Sequence, residues 1–131
     1  MNAHLKRLGA EFTWTSRDRF ADSPHDFEVT ADGGSTLVEV KSTTGRFEGS
    51  FYLSLGEAIC AAELTEPYCL YRVYDLDHSS RTARMRVSDD ATRVVVRLMR
   101  VLRRLPAGVE AASIRLSPDL FRWGDEVSLT L

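Results

Sequence analysis

Glu39 follows Asp26 by thirteen positions and is itself followed by Val40-Lys41, so an acid and a Glu-x-Lys triplet fall on one short, largely apolar stretch. Two-metal phosphodiesterases grip a divalent ion with residues arranged this way. The carboxylate oxygens hold the cation, and a nearby ammonium faces the charge that builds on the phosphoryl oxygens.

Such chemistry requires the three groups to meet, and the intervening residues supply a way. Residues 26–41 read as two short alternating runs around Asp32-Gly33-Gly34, the signature of a β-hairpin. With Asp32-Gly33 as the loop, Asp26 lies directly opposite Glu39. With Gly33-Gly34 as the loop, Glu28 pairs with Glu39 and Asp26 with Lys41. Both registers gather Asp26, Glu28, Glu39 and Lys41 on one face and put Phe27, Val29, Val38 and Val40 on the other. Two carboxylates about 4 Å apart repel by roughly 4 kcal/mol at an effective dielectric near 20, so a positive partner is expected between them. Lys41 supplies one charge, and clustered hard oxygens also suit Mg²⁺ or Mn²⁺. The plainer reading of the same residues is a solvated hairpin face, where Asp, Glu and Lys are ordinary.

A chain of 131 residues is expected to form one domain, with a core over about residues 9–90 and a C-terminal helix and strands over 91–131. With 44% apolar and 27% charged residues it falls in the globular class, which excludes a disordered or fibrous chain. No apolar run approaches the roughly 18 residues that span a bilayer, and the start carries no secretory pattern, so no membrane partner and a cytoplasmic location are expected. Cys60 and Cys69 are too few for a disulfide framework and read as small buried apolar residues. The net charge of −2 conceals an asymmetry. Residues 1–80 carry seven Lys/Arg against thirteen Asp/Glu, whereas residues 81–104 carry eight Arg against two Asp. A basic block beside an acidic cluster is what a metal-dependent enzyme acting on nucleic acid needs.

The elements follow from periodicity and punctuation. Residues 2–8 suggest a short helix ending at Gly9, Glu11–Thr15 a strand, and Phe51–Leu53 another after a turn at Thr43–Arg46. Ser54 and Glu57 form a capping-box pattern for a helix that stops before Pro67, so Glu57 is read as structural. Tyr68–Tyr74 is rich in aromatic and branched residues and predicts a central strand. Thr82–Val87 alternates Arg84 and Arg86 with apolar residues, as a half-exposed strand does. A second helix is predicted from about Asp90 to Leu105, with Val94, Val95, Leu98, Met99, Val101, Leu102 and Leu105 toward the core. Arg93, Arg97, Arg100 and Arg104 form one stripe on another face of it, either a track for a nucleic-acid backbone or the wet side of an amphipathic helix. Val109–Leu116 and Glu126–Leu131 read as closing strands. The sum is an α/β fold with a mixed sheet flanked by helices.

Four blocks in order carry a family resemblance: Pro24-His25-Asp26; Val38-Glu39-Val40-Lys41-Ser42-Thr43; Phe51-Tyr52-Leu53-Ser54 with Glu57; and Tyr68 through Asp75. They resemble the PD-(D/E)XK nuclease superfamily and, within it, the C-terminal domain family of the protein NO VEIN, often fused to helicases and to restriction or phage-defence modules. The resemblance spans roughly residues 9–90. It implies a restriction-endonuclease-like core that hydrolyses nucleic acid, DNA above all, with Mg²⁺ or Mn²⁺. By position, Asp26 and Glu39 are the implied metal ligands and Lys41 the group that orients or helps to deprotonate the attacking water and stabilises phosphorane charge. Ser42, Thr43 and Arg46, together with Arg93, Arg97, Arg100 and Arg104, are the candidate nucleic-acid contacts. A helicase or other defence-system subunit is the implied protein partner. The alternative is an inactive nuclease-fold module that holds nucleic acid through the arginine stripe or the Arg84 and Arg86 strand face, or that binds a partner protein.

Overall fold

The computed structural model of the chain describes residues 11–14, 27–31, 34–63 and 66–131. The predicted helix over 2–8, and Asp26 with it, lie outside the described residues. In chain order the elements are β1 (Glu11–Trp14), β2 (Phe27–Ala31), β3 (Gly34–Ser42), β4 (Phe51–Ser54), α1 (Leu55–Glu63), β5 (Tyr68–Asp77), β6 (Thr82–Ser88), α2 (Ala91–Leu102), β7 (Ser113–Leu116), a 3₁₀ turn (Pro118–Leu120) and β8 (Val127–Thr130). The main sheet has the order β1-β2-β3-β5-β6-β8, and β4 pairs with β7 as a separate two-stranded sheet. All neighbours in the main sheet are antiparallel except β3 and β5, so the sheet is mixed and the fold is α/β.

The β2–β3 hairpin takes the first of the two registers open to the sequence. Phe27 faces Val38, Glu28 faces Leu37 and Ala31 faces Gly34. The parallel β3–β5 pair needs a crossover, and β4 with α1 provides it. Both faces of this part of the sheet are covered. Leu37 and Leu70 pack with Phe51, Leu53, Ala58, Ala61, Val94 and Val95 under the two helices. Val38, Tyr71 and Val73 pack with Ala83, Met85 and Leu129 on the opposite face. Strands buried on both faces read as continuous apolar runs, as Leu37-Val38 and Tyr68 to Tyr74 do. At roughly 1.5–3 kcal/mol for each fully buried large aliphatic side chain, Leu53, Leu70, Val38, Val95 and Met85 are the anchors of the two clusters.

α1 opens where the sequence places it. Ser54 Oγ accepts from the Glu57 backbone N–H at 3.1 Å, satisfying one orphan donor of the first turn. Ala58 and Ala61 are fully buried and small, which lets α1 and α2 approach closely. α2 is tied to the start of β5 through Thr92 Oγ1, which accepts from Tyr68 N at 3.0 Å.

Three expectations are corrected. α2 ends at Leu102 rather than Leu105, because the chain tightens into i−3 bonds from Arg104 N to Val101 O and from Leu105 N to Leu102 O. Val101 and Leu105 are 65% and 37% exposed rather than in the core. Val101 lies one helical step of four from Arg97 and so belongs to the arginine side. The strand predicted over 109–116 shrinks to Ser113–Leu116, paired with β4 and not with the main sheet.

Candidate functional site

β3 positions the two predicted site residues within the described chain. Glu39 and Lys41 share a face with Leu37, because side chains alternate along a strand, and that face lies beneath the helices. Glu39 is therefore buried, with 6% of its surface exposed. A buried carboxylate is costly unless paired, and the partner is Lys41, whose Nζ lies 3.1 Å from Glu39 Oε1. The same nitrogen donates to Glu57 Oε2 at 2.8 Å. One ammonium is thus shared by two carboxylates from different elements.

Burial pulls the Lys41 pKa down, but the charges and hydrogen bonds of Glu39 and Glu57 outweigh it, so the net shift is upward from 10.5. Lys41 is therefore a cation at neutral pH. The expectation for Glu57 is half met. Its backbone N–H completes the cap with Ser54, while its carboxylate turns to Lys41. Cap position and spacing made the structural reading natural; the contact with Lys41, sixteen residues away, has no sequence signal of its own.

Sequence reasoning missed Arg72. It lies directly across from Lys41 in the β3–β5 register, on the same face. With 2% of its surface exposed, its guanidinium donates to Gly49 O at 2.9 Å and to Lys41 O at 3.4 Å, and stacks over the Phe51 ring at 5.4 Å. Its Nε is buried without a hydrogen-bond partner. Burial works against its charge and draws its pKa down from 12.5. Arg72 fastens the segment between β3 and β4 to the sheet beside Lys41. The only hint in the sequence is a lone arginine inside an otherwise apolar strand.

The other predicted contacts are scattered. Ser42 is exposed and alternates with Lys41, so it sits on the opposite face. Thr43 Oγ1 accepts from Gly45 N at 3.0 Å and shapes the turn. Arg46 lines a polar cavity with Tyr74, Arg84 and Arg86. Arg93 pairs with Asp90, whereas Arg97, Arg100 and Arg104 are exposed on or just past α2, and among the described residues no hydrogen bond or ion pair joins this stripe to Lys41. Cys60 and Cys69 are not joined in a disulfide, and burial above all pushes both thiols up to about 11, which makes them poor nucleophiles.

Among the described residues no group of three or more His, Cys, Asp or Glu side chains is gathered as a metal cage. No described helix is long and apolar enough to cross a membrane. Compared with known proteins, residues 1–86 match the family model described as Protein NO VEIN, C-terminal, which takes in the hairpin, α1, β5 and most of β6. Neither the curated proteins nor the solved structures give a match.

Proposed function

We propose, for a chain that belongs to the Protein NO VEIN, C-terminal family, that the Glu39, Lys41 and Glu57 cluster is the catalytic centre of a nuclease with a restriction-endonuclease-like core, cleaving phosphodiester bonds of nucleic acid, DNA above all. The observation that carries this reading is the shared ammonium. A Glu-x-Lys strand presents a buried carboxylate and a cation side by side, held by a second carboxylate from the neighbouring helix.

The donor set fits a hard divalent cation, because Glu39 and Asp26 offer only carboxylate oxygens and no soft ligand stands among them. Those two residues would hold Mg²⁺ or Mn²⁺, and such an ion supplies a water of lowered pKa and neutralises phosphoryl charge. The chain's own residues do the rest. Glu39 is held in place by burial and by Lys41. The Lys41 ammonium is placed to face the negative charge that grows on a phosphoryl oxygen in the transition state. Glu57 keeps that ammonium oriented, and Arg72 fixes the backbone beneath it through the Lys41 carbonyl. A restriction or phage-defence setting and a helicase-type partner belong to the same proposal.

The test is plasmid cleavage by the purified chain with Mg²⁺ or Mn²⁺, alongside Asp26→Ala, Glu39→Gln and Lys41→Ala, and calorimetric titration of Mn²⁺ into wild type and Glu39→Ala. The reading expects cleavage by wild type alone and heat of binding that Glu39→Ala abolishes. Equal cleavage by all four proteins, or identical Mn²⁺ isotherms, refutes it. A second reading, an inactive module that binds nucleic acid, draws on the exposed Arg97 and Arg100 of α2. It expects a salt-sensitive DNA shift that persists without metal and without cleavage.

A further inference from the structure

Two residues beyond Arg72 along β5, the same sheet face opens into a cavity of about 280 Å³ lined by Arg46, Phe47, Tyr74, Arg84, Arg86 and Glu126. We propose that Arg46, Arg84, Arg86 and the Tyr74 hydroxyl form a phosphate-binding pocket, and that Glu126 sits in it as a displaceable internal anion.

The pocket has the donors that phosphate needs. Arg84 and Arg86 are alternate residues of β6 and so point to one face, and guanidinium forks match phosphate oxygens in pairs. Arg86 is stacked on the Phe47 ring at 5.0 Å, and its Nε is buried with no hydrogen-bond partner, a donor left unused in the present arrangement. The cavity is also small and polar, which suits a phosphate group better than a large apolar ligand.

Glu126 occupies the anion's place. Its carboxylate accepts a very short hydrogen bond from Tyr74 Oη and lies 3.6 Å from Arg84 Nη1. The Tyr74 hydrogen bond, with Arg84 and Arg86 behind it, holds the Glu126 carboxyl below the usual range, so it is an anion at neutral pH. Glu48 and Asp75 also line the cavity, so its three arginines are balanced by three acids while Glu126 is in place. Removing Glu126 alone leaves an excess of one positive charge. Its side chain is 37% exposed and precedes a short edge strand, so it can turn into solvent when another anion arrives.

The two halves of the arrangement have different origins along the chain. Arg46, Tyr74, Arg84 and Arg86 all fall within the family-matched residues 1–86, whereas Glu126 comes from the C-terminal segment beyond them. The pocket also shares a substrate path with the catalytic cluster. Lys41, Arg72 and Arg86 are successive register partners on β3, β5 and β6, so two strand spacings, about 10 Å, separate the first backbone from the last. That spacing is short enough for one nucleic acid to reach both this pocket and Lys41, and in that respect the inference rests on the proposed function.

Binding in EDTA separates the two proposals, since no cleavage is involved. Fluorescence anisotropy of a labelled 20-base-pair DNA duplex across a salt series, with inorganic phosphate as competitor, is measured for wild type, Arg84→Ala, Arg86→Ala and Glu126→Gln. Each arginine variant is expected to weaken duplex binding about fivefold or more and to lower the salt slope by about 1. Glu126→Gln, which keeps an acceptor for Tyr74, is expected to bind several-fold tighter. Tightening toward duplex assigns the phosphate to a nucleic-acid backbone; tightening toward inorganic phosphate alone assigns it to a free phosphate compound. Glu126→Gln binding both no more tightly than wild type, or Arg86→Ala binding normally with an unchanged melting temperature, overturns the pocket. A wild-type protein that binds in this way yet never cuts DNA with metal leaves the pocket standing and removes the nuclease.

Discussion

Lys41 Nζ donates to Glu57 Oε2 at 2.8 Å, and this single contact ties strand β3 to the first turn of helix α1. Both side chains are less than a fifth exposed, so the interaction is only weakly screened by solvent. A double-mutant cycle with Lys41→Met and Glu57→Gln is expected to give a coupling energy of about 1–3 kcal/mol in urea unfolding. Glu57→Gln should also reduce plasmid cleavage about tenfold or more while leaving the α1 cap intact, because the cap uses its backbone N–H. A coupling near zero would show that the two groups act independently.

Arg72 makes a second prediction. Removing its guanidinium leaves the Gly49 and Lys41 carbonyls without their donor and strips the Phe51 face, so Arg72→Ala is expected to cost about 2–4 kcal/mol. Arg72→Lys keeps the charge and loses the fork, and should sit between. In both variants the segment between β3 and β4 is released, and tryptic cutting after the exposed Arg46 should accelerate; unchanged digestion would argue that Arg72 does not hold this loop.

Asp90 sets the behaviour in acid. It stands at the N-cap of α2 without making a side-chain cap bond. Instead Oδ1 accepts from Ser88 Oγ at 2.6 Å and from Arg122 N at 3.1 Å, and Oδ2 pairs with Arg93. Burial raises its pKa, but these hydrogen bonds outweigh it and the net shift is downward from 3.8. A depressed carboxyl stabilises the fold above its unfolded value and loses that contribution as the pH falls through the folded one. Wild type should therefore lose more stability than Asp90→Asn when urea midpoints at pH 7 are compared with those at pH 3. Parallel losses in the two proteins would discount the Asp90 cluster.

Tyr74 sets the behaviour in alkali. Burial first, then the Glu126 hydrogen bond and charge, push its phenol up to about 12. Because the folded pKa is raised, the neutral form belongs to the fold, and the associated stability is present below about 10 and lost as pH rises toward 12. Difference absorbance of wild type against Tyr74→Phe should place this titration near 12, and Glu126→Gln should bring it down. A Tyr74 that titrates near 10 in the wild type would contradict the contact.

The four patterns that depend on nearest neighbours were legible in the residues. Alternation and the Asp32-Gly33-Gly34 turn specified the β2–β3 hairpin and narrowed its register to two, Ser54 specified the start of α1, the Tyr68–Tyr74 run specified a buried central strand, and Glu39 and Lys41 were placed on one face. These follow because period-2 and period-3.6 patterning and cap chemistry act over a few residues. Long-range pairing was not legible. Nothing local distinguishes β4 as a partner of β7, turns the Glu57 carboxylate toward Lys41, brings Arg72 under Gly49, or carries Glu126 across 52 residues to Tyr74. Those contacts were decided by how the sheet and helices pack, because a buried charge takes whichever complementary group the fold delivers to it.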